Sequence, residues 1–73
     1  MDNKQRMDIL KELYAALESK AAPRLAWVTL HELKQSVGDC DVAIFYLIDK
    51  GWIKADGNRY QITASGMDVV EAD

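Results

Sequence analysis

The sequence predicts a single α+β domain in which helices pack around a small antiparallel β-hairpin, and two stretches carry that prediction. In the first, Ile44, Leu47 and Ile48 lie three and four residues apart, which is the spacing of one helical face. Gly51 then stands at a position typical of a helix end. In the second, residues 52–63 form two runs of β-branched and aromatic residues separated by Asp-Gly-Asn, a sequence that suits a tight hairpin turn.

Chain length and composition limit the architecture to one domain, residues 1–73. The chain is 49% hydrophobic and 29% charged, which is typical of a folded domain, and 73 residues allow one small core. The longest wholly apolar run, 42–48, is far too short to cross a bilayer, and the polar N-terminus has no signal-peptide core behind it. We therefore expect a cytoplasmic domain that makes no membrane contact.

A first helix is predicted from about Asn3 to Lys20. Its charged positions carry both signs, so we expect its apolar stripe to face the core and not a membrane. Asp2 and Gln5 have the spacing of a capping pair at its start, and residues 21–23, Ala-Ala-Pro, are expected to end it because proline cannot continue a helix. The apolar stripe consists of Met7, Leu10, Leu13, Tyr14 and Leu17.

A second helix is predicted over residues 30–37 by signals at both of its ends. Thr29 and Glu32 have the spacing of a capping box, in which each side chain bonds the other residue's backbone N–H. Gly38 is a natural C-cap. Before the box, residues 25–28 form a brief extended run. The expected inward residues of this helix are Leu30, Leu33 and Val37.

A third helix is predicted over residues 40–50. Asp39 is its expected N-cap, and Asp41 is favourably placed in its positive first turn. With Ile44, Leu47 and Ile48 inward, we expect the outward arc to consist of Val42, Tyr46 and Asp49, flanked by Phe45 and Ala43.

The end of the chain is predicted to form the hairpin and a short last helix. The strands are expected at 52–55 and 59–63, joined by the turn 56–58. Thr63 is the expected cap of the helix that follows it. The residues of that helix singled out by the pattern are Gly66, Met67, Val69 and Val70.

Two segments of this pattern resemble a known family. Residues 47–53, Leu-Ile-Asp-Lys-Gly-Trp-Ile, and residues 60–66, Tyr-Gln-Ile-Thr-Ala-Ser-Gly, resemble the winged helix-turn-helix domain of small bacterial and phage transcriptional regulators. The resemblance implies a three-helix core with a hairpin wing, and it implies that residues 25–28 form a third strand paired with that wing. It also implies that the N-terminal end of the third helix enters the major groove of DNA.

The charge of the chain does not favour the DNA binding that this family implies. A net charge of −3 and a pI near 5.0 are the opposite of the basic footprint expected of a phosphate-binding domain. The outward arc of the third helix also lacks the side chains that commonly read base edges. If DNA is bound, the candidate contacts are the basic residues Lys34, Lys50, Lys54 and Arg59.

The alternative is a protein interface on the same helix. Val42, Phe45 and Tyr46 would form an exposed apolar and aromatic patch, which is typical of a contact with a partner protein or with a second copy. In a simpler arrangement the first helix or the N-terminal segment covers Phe45 and leaves only Val42 and Tyr46 outside, which is ordinary for a protein surface. The sequence thus predicts a binding module, with DNA-associated regulation and protein interaction as its two candidate functions.

No enzymatic chemistry is indicated by the residues. Cys40 is a single cysteine, so an internal disulfide is excluded, and with one histidine, His31, there is no spacing that would make a zinc site. His31 has no acid or nucleophile at a suggestive spacing and is expected to be a surface residue. We therefore expect neither a metal, nor a cofactor, nor a small-molecule substrate.

Overall fold

The structure, a computed structural model, describes residues 3–19 and 23–73. Its elements are α1 (Asn3–Ser19), a 3₁₀ turn (Pro23–Leu25), β1 (Val28–Thr29), α2 (Leu30–Val37), α3 (Asp41–Asp49), β2 (Ile53–Asp56), β3 (Arg59–Ile62) and α4 (Ala64–Ala72). The described residues thus form a small α+β domain with four α-helices and one three-stranded antiparallel sheet, which confirms the predicted fold class at that level.

The sheet has β3 at its centre, between β1 and β2. Tyr60 of β3 lies opposite Val28 of β1 and opposite Ala55 of β2, while Ile62 lies opposite Ile53. Alternate residues of a strand face the same side, so one side of this sheet is apolar and packs on the core. The buried residues on that side are Val28, Ile53, Tyr60 and Ile62.

The loop between β2 and β3 has two residues and lies within the predicted turn 56–58, since Asp56 belongs to β2. Asp56 and Arg59 are the last paired residues, and Gly57 and Asn58 lie between them. Gly57 has a φ of 65°, whereas no described residue other than glycine has a positive φ. A positive φ at the first loop position followed by a negative one is the pattern of a type II′ turn, whose twist matches that of the strands.

One hydrophobic core lies between the helices and the apolar side of the sheet. Full burial of a Leu or Ile side chain contributes roughly 1.5–3 kcal/mol relative to exposure, so these residues provide most of the stability of so small a domain. The most deeply buried side chains, each at most 2% exposed, include Ile9, Leu10, Leu13, Leu33, Leu47 and Cys40.

Polar contacts join α1 to the elements around it. The side-chain amide of Gln5 donates to the backbone carbonyl of Val37, the last residue of α2 (3.1 Å), and to that of Asp39 between α2 and α3 (2.6 Å). Tyr14 donates its hydroxyl hydrogen to the carboxylate of Glu71 on α4, and this hydrogen bond raises the pKa of Tyr14. These hydrogen bonds join the N-terminal half of α1 to the end of α2 and the C-terminal half of α1 to α4.

The capping signals predicted for α2 and α4 are confirmed. The Thr29 hydroxyl accepts from the Glu32 N–H at 3.1 Å, and the Glu32 carboxylate accepts from the Thr29 N–H at 3.3 Å. At α4, the Thr63 hydroxyl accepts from the Gly66 N–H at 3.1 Å. Each cap satisfies a backbone donor that the first turn of a helix leaves unpaired.

Two predicted details are wrong. Residues 25–28 do not form a strand throughout, because Pro23 begins a 3₁₀ turn that closes when the Ala26 N–H donates to the Pro23 carbonyl at 3.0 Å. The strand is limited to Val28–Thr29. The N-cap of α3 is Cys40 and not Asp39, and within the described residues the Cys40 side chain makes no capping bond. The helix thus begins one residue later than local capping chemistry predicts, and its N-cap residue, Cys40, is buried in the core with 2% of its surface exposed.

Other predicted details fall outside the described residues. These are Asp2, the proposed capping partner of Gln5, and residues 20–22, which include the predicted end of the first helix.

The end of α3 is held by a Schellman motif around Gly51. Gly51 has a φ of 77°, the Trp52 N–H donates to the Leu47 carbonyl at 3.0 Å, and the Gly51 N–H donates to the Ile48 carbonyl at 2.9 Å. The Thr63 hydroxyl then donates to the Gly51 carbonyl at 2.6 Å. These bonds fix the direction in which the chain leaves α3, and hence the position of the hairpin beside it.

Candidate functional site

Helix α3 has one side in the core and one side in solvent. The residues on the core side, each at most 5% exposed, are Ala43, Ile44 and Leu47. On the solvent side Val42 is 67% exposed, Phe45 70% and Ile48 41%. Because neighbours three apart lie on the same side of a helix, these three residues form one apolar stripe. We call Val42, Phe45 and Ile48 the α3 face.

The rotation of α3 differs from the sequence prediction. Ile48 was expected inward and is exposed, and Ala43 was expected near the outward arc and is buried. Tyr46 was expected outward, but it is half-buried against the core. Its ring lies 3.8 Å from the Arg6 guanidinium and makes an edge-to-face contact with Trp52 at 6.1 Å. Tyr46 therefore does not belong to the exposed patch, whereas Ile48 does.

Phe45 is not covered by α1. Phe45 is 70% exposed, so the arrangement in which the first helix shields it is wrong. Arg6 of α1 lies over Tyr46 instead. The sequence does not identify Ile48 as exposed, because residues 42–48 are apolar without interruption and their periodicity does not distinguish the two sides of the helix. The spacing of residues 42, 45 and 48 was the one signal for this stripe.

Two carboxylates flank the α3 face along the helix axis. Asp41 and Asp49 stand one turn before and one turn after Phe45, and each lies about 40° from it around the axis. Both are exposed, with 76% of the Asp41 side chain accessible. Asp41 has a distant ion pair with Lys34 at 3.9 Å, and Asp49 has no ion pair within residues 3–19 and 23–73. The centre of the face is therefore apolar and its two ends are acidic.

Lys34 and Lys50, two of the four candidate nucleic-acid contacts, lie at opposite ends of α3. Lys34 is beside Asp41, at the start of the helix. Lys50 follows its last residue and lies over the Trp52 ring at 5.3 Å, about 140° around the axis from Phe45. Neither lysine therefore extends a basic surface across the solvent side of α3.

Lys54 and Arg59, the other two candidates, are close together on the hairpin. Lys54 pairs with Gln61, two residues from Arg59 on the same side of the sheet, and both basic residues are exposed. Arg59 donates to the Asp56 carboxylate at 2.6 and 3.2 Å and stacks over the Trp27 ring at 4.7 Å. Much of its charge is thus balanced locally. The structure brings these two residues together on the hairpin.

An open groove runs between α1 and the end of α3. Arg6, Tyr46 and Trp52 line it, together with charged residues of α1. The Arg6 Nε is buried and has no hydrogen-bond partner among the described residues, although its Nη1 donates to the Asn3 side chain at 3.1 Å. Lys4, beside the groove, is paired with Asp8 at 2.8 Å. The groove is thus a site of aromatic packing, in which the Arg6 guanidinium stacks on the Tyr46 ring.

The single cysteine and the single histidine of the chain lie in different environments. Burial raises the pKa of the Cys40 thiol, and the neighbouring Asp41 carboxylate raises it further, so the reactive thiolate is disfavoured. His31 is exposed, and its ring Nε2 lies 3.1 Å from the side-chain amide of Gln35 on the same helix. Across the described parts of the chain, no group of three or more His, Cys, Asp or Glu residues is arranged to hold a metal ion.

Comparison of the chain with protein-family models, curated proteins and solved structures gives no match. Among residues 3–19 and 23–73, no helix combines the length and the apolar character needed to cross a membrane. The residues that differ most from an ordinary protein surface are those of the α3 face, and they define the candidate binding site.

Proposed function

We propose that this chain is a small binding module that recognises another protein through the α3 face. The observation that carries this proposal is Phe45, a large aromatic residue left 70% exposed at the centre of an apolar stripe. Each Å² of apolar surface removed from water contributes roughly 25 cal/mol, so covering the stripe favours association. Aromatic anchors in the middle of a patch are also the side chains that dominate protein interfaces.

The arrangement of elements supports a binding role for α3. Its order of helices and strands is compatible with the winged-helix layout, in which the helix equivalent to α3 is the one that contacts the target. The short loop at Gly38, with a φ of 81°, turns the chain from α2 into α3, and the hairpin follows α3 directly. A protein partner would thus use the surface that other domains of this layout offer to DNA.

DNA-associated regulation is the second candidate, favoured by Lys54 and Arg59 on the hairpin. The chemistry of α3 makes it the weaker of the two. Carboxylates at Asp41 and Asp49 repel phosphates, and Val42, Phe45 and Ile48 offer no hydrogen-bond donor to a base edge. A net charge of −3 opposes association with nucleic acid as a whole.

Site-specific photo-crosslinking tests the protein-binding proposal. A photoreactive phenylalanine analogue at position 45, in the chain expressed in its native cells, should give a discrete protein adduct. The matched control carries the analogue at Leu25, another exposed apolar residue, which is 55% exposed and lies in the 3₁₀ turn. Adding Val42→Glu should remove the adduct formed at position 45. Equal labelling from both positions would contradict the proposal.

A DNA titration tests the second candidate. Labelled mixed-sequence duplex, followed by fluorescence anisotropy at low salt, should show weak binding that disappears at physiological salt. If binding occurs, Lys54→Gln should weaken it for every sequence, because a phosphate contact carries no sequence information. Tight, sequence-dependent binding that survives Phe45→Glu would replace the protein-binding proposal with DNA recognition.

A further inference from the structure

We infer that the occupant of the α3 face is a basic amphipathic helix, whose apolar residues cover Phe45 and whose Lys or Arg side chains meet Asp41 and Asp49. This inference rests on the proposed protein-binding function and specifies the chemistry of its partner. It is carried by the order of residues along α3, where a carboxylate stands at each end of an exposed apolar stripe.

The two carboxylates are available to a partner. Asp49 makes no ion pair with any described residue, and the Asp41–Lys34 pair at 3.9 Å is at the limit of an ion pair, with its side chains 76% and 41% exposed. Such exposed pairs are worth little and are exchanged easily. Lys50, next in sequence to Asp49, is held over Trp52 on another side of the helix. The border of the face along the helix axis is therefore acidic.

A second copy of the chain fits this face poorly. In a two-fold contact the same surface is present on both subunits, so α3 would pack against α3 around Phe45. An antiparallel pairing would place Asp41 of one copy beside Asp49 of the other, and a parallel pairing would place each aspartate beside its own equivalent. Like charges meet in both arrangements, which disfavours self-association through this face.

A helix is the partner element whose shape matches. The α3 face lies on a single helix of nine residues, Asp41–Asp49, so its surface is convex and narrow. A second helix packed along it can interdigitate its side chains with Val42, Phe45 and Ile48. Asp41 and Asp49 are about 12 Å apart along the axis, which is about two helical turns, so basic residues seven or eight positions apart would reach both.

A peptide titration with the intact chain tests the inference. The probe is a fluorescein-labelled synthetic 18-residue helix with leucines on one side and lysines bordering them, and the matched peptide has glutamate in place of every lysine. We expect the lysine peptide to bind and the glutamate peptide not to bind. Raising the salt from low to high concentration should weaken the complex, because the border contacts are exposed.

Variants of the chain separate the charge from the apolar contact. Asp41→Asn with Asp49→Asn should weaken binding of the lysine peptide about five- to tenfold, the effect of removing two exposed ion pairs. The control Asp68→Asn alters the chain's charge on α4 by one unit at an exposed residue and should leave the affinity unchanged. Phe45→Glu should abolish binding, whereas Leu25→Glu should not. Circular dichroism of each variant confirms that the fold is retained.

The possible failures are distinguishable. Equal binding of both peptides, abolished by Phe45→Glu, would overturn the basic occupant and leave the protein-binding face. Binding of neither peptide would also overturn it, and the crosslink at position 45 would then decide the proposed function separately. Concentration-dependent dimerisation lost in Phe45→Glu would identify a second copy as the occupant. DNA binding lost in the same variant would overturn both the partner chemistry and the protein-binding function.

Discussion

Ile44 and Ile48 are the same residue type one helical turn apart, yet they occupy opposite environments. Ile44 is 5% exposed and packs in the core, whereas Ile48 is 41% exposed and belongs to the α3 face. Residues four apart are usually on one side of a helix, but they are displaced by about 40°, and both isoleucines lie near the boundary between the two sides. The core side of α3 is thus narrow, and the apolar stripe beyond it is a separate surface.

This difference shows that apolar character alone does not identify a core residue. Every residue from Val42 to Ile48 is apolar or aromatic, and about half of them are buried because of what lies opposite. Tyr46 is covered by Arg6 and Trp52, and Leu47 by the core, while nothing in the described chain covers Phe45. Substitutions on the core side of α3 should therefore lower the free energy of unfolding much more than substitutions on the α3 face.

The largest effect is expected on the core side, at Leu47. Leu47 is 0% exposed, so Leu47→Ala removes buried methyl groups and leaves a cavity. The free energy of unfolding should fall by about 2–5 kcal/mol, measured by urea denaturation. That is a large part of the stability of a domain of this size. A loss below about 1 kcal/mol would mean that the core can collapse around the gap, and that the two sides of α3 differ less than their exposure indicates.

The core also includes the contact between Trp52 and α4. Gly66→Ala tests how tightly these two parts of the chain pack. A Cβ at position 66 would collide with the Trp52 carbonyl oxygen and lie 2.7 Å from the Ile62 Cγ1. The Trp52 carbonyl accepts from the Thr63 N–H at 3.0 Å, so it is not free to move. We expect a loss of about 1–3 kcal/mol in thermal or urea unfolding. The neighbouring exposed position provides the control, because Ser65→Ala should have little effect. An unchanged stability would show that α4 shifts away freely.

The sequence predicted the local features of this fold better than the pairing of its distant parts. The capping box at Thr29, the cap at Thr63 and the helix end at Gly51 each depend on a few neighbouring residues, and the structure confirms all three. The rotation of α3 was wrong because Arg6, which covers Tyr46, is 40 residues away along the chain. Local patterns do not record such a partner.

The candidate site was predictable to the same extent. Val42 and Phe45 were expected outward and are exposed. Tyr46, expected outward, is half-buried, and Ile48, expected inward, is exposed. The basic candidates were chosen by charge alone, and charge does not reveal that Arg59 is paired with Asp56 and that Lys50 lies over Trp52. Those contacts depend on side-chain positions in the folded domain.

The hairpin turn is expected to show a smaller effect with a different origin from that at Gly66. Nothing lies within 4 Å of a Cβ at Gly57, so space is available, but the φ of 65° opposes a β-branched side chain. Gly57→Val should lower the free energy of unfolding by about 1–2 kcal/mol. Asn58→Val, at the adjacent position without a positive φ, is the matched control and should cost less. If both variants melt at the same temperature, backbone conformation at Gly57 is not what limits the turn.

The smallest effect on stability is expected on the α3 face itself. Phe45 is 70% exposed, so Phe45→Ala should change the free energy of unfolding by no more than about 0.5 kcal/mol, as is usual for surface substitutions. Ile48→Ala, at 41% exposure, should fall between Phe45→Ala and Leu47→Ala. All three are measured in the same urea titration at low protein concentration, where any association is weakest. A loss at Phe45 comparable to that at Leu47 would mean that Phe45 is covered in the free protein, and the α3 face would then not be a binding surface. A silent Phe45→Ala that nevertheless abolishes the crosslinked adduct would establish that this side of α3 contributes to association and not to folding.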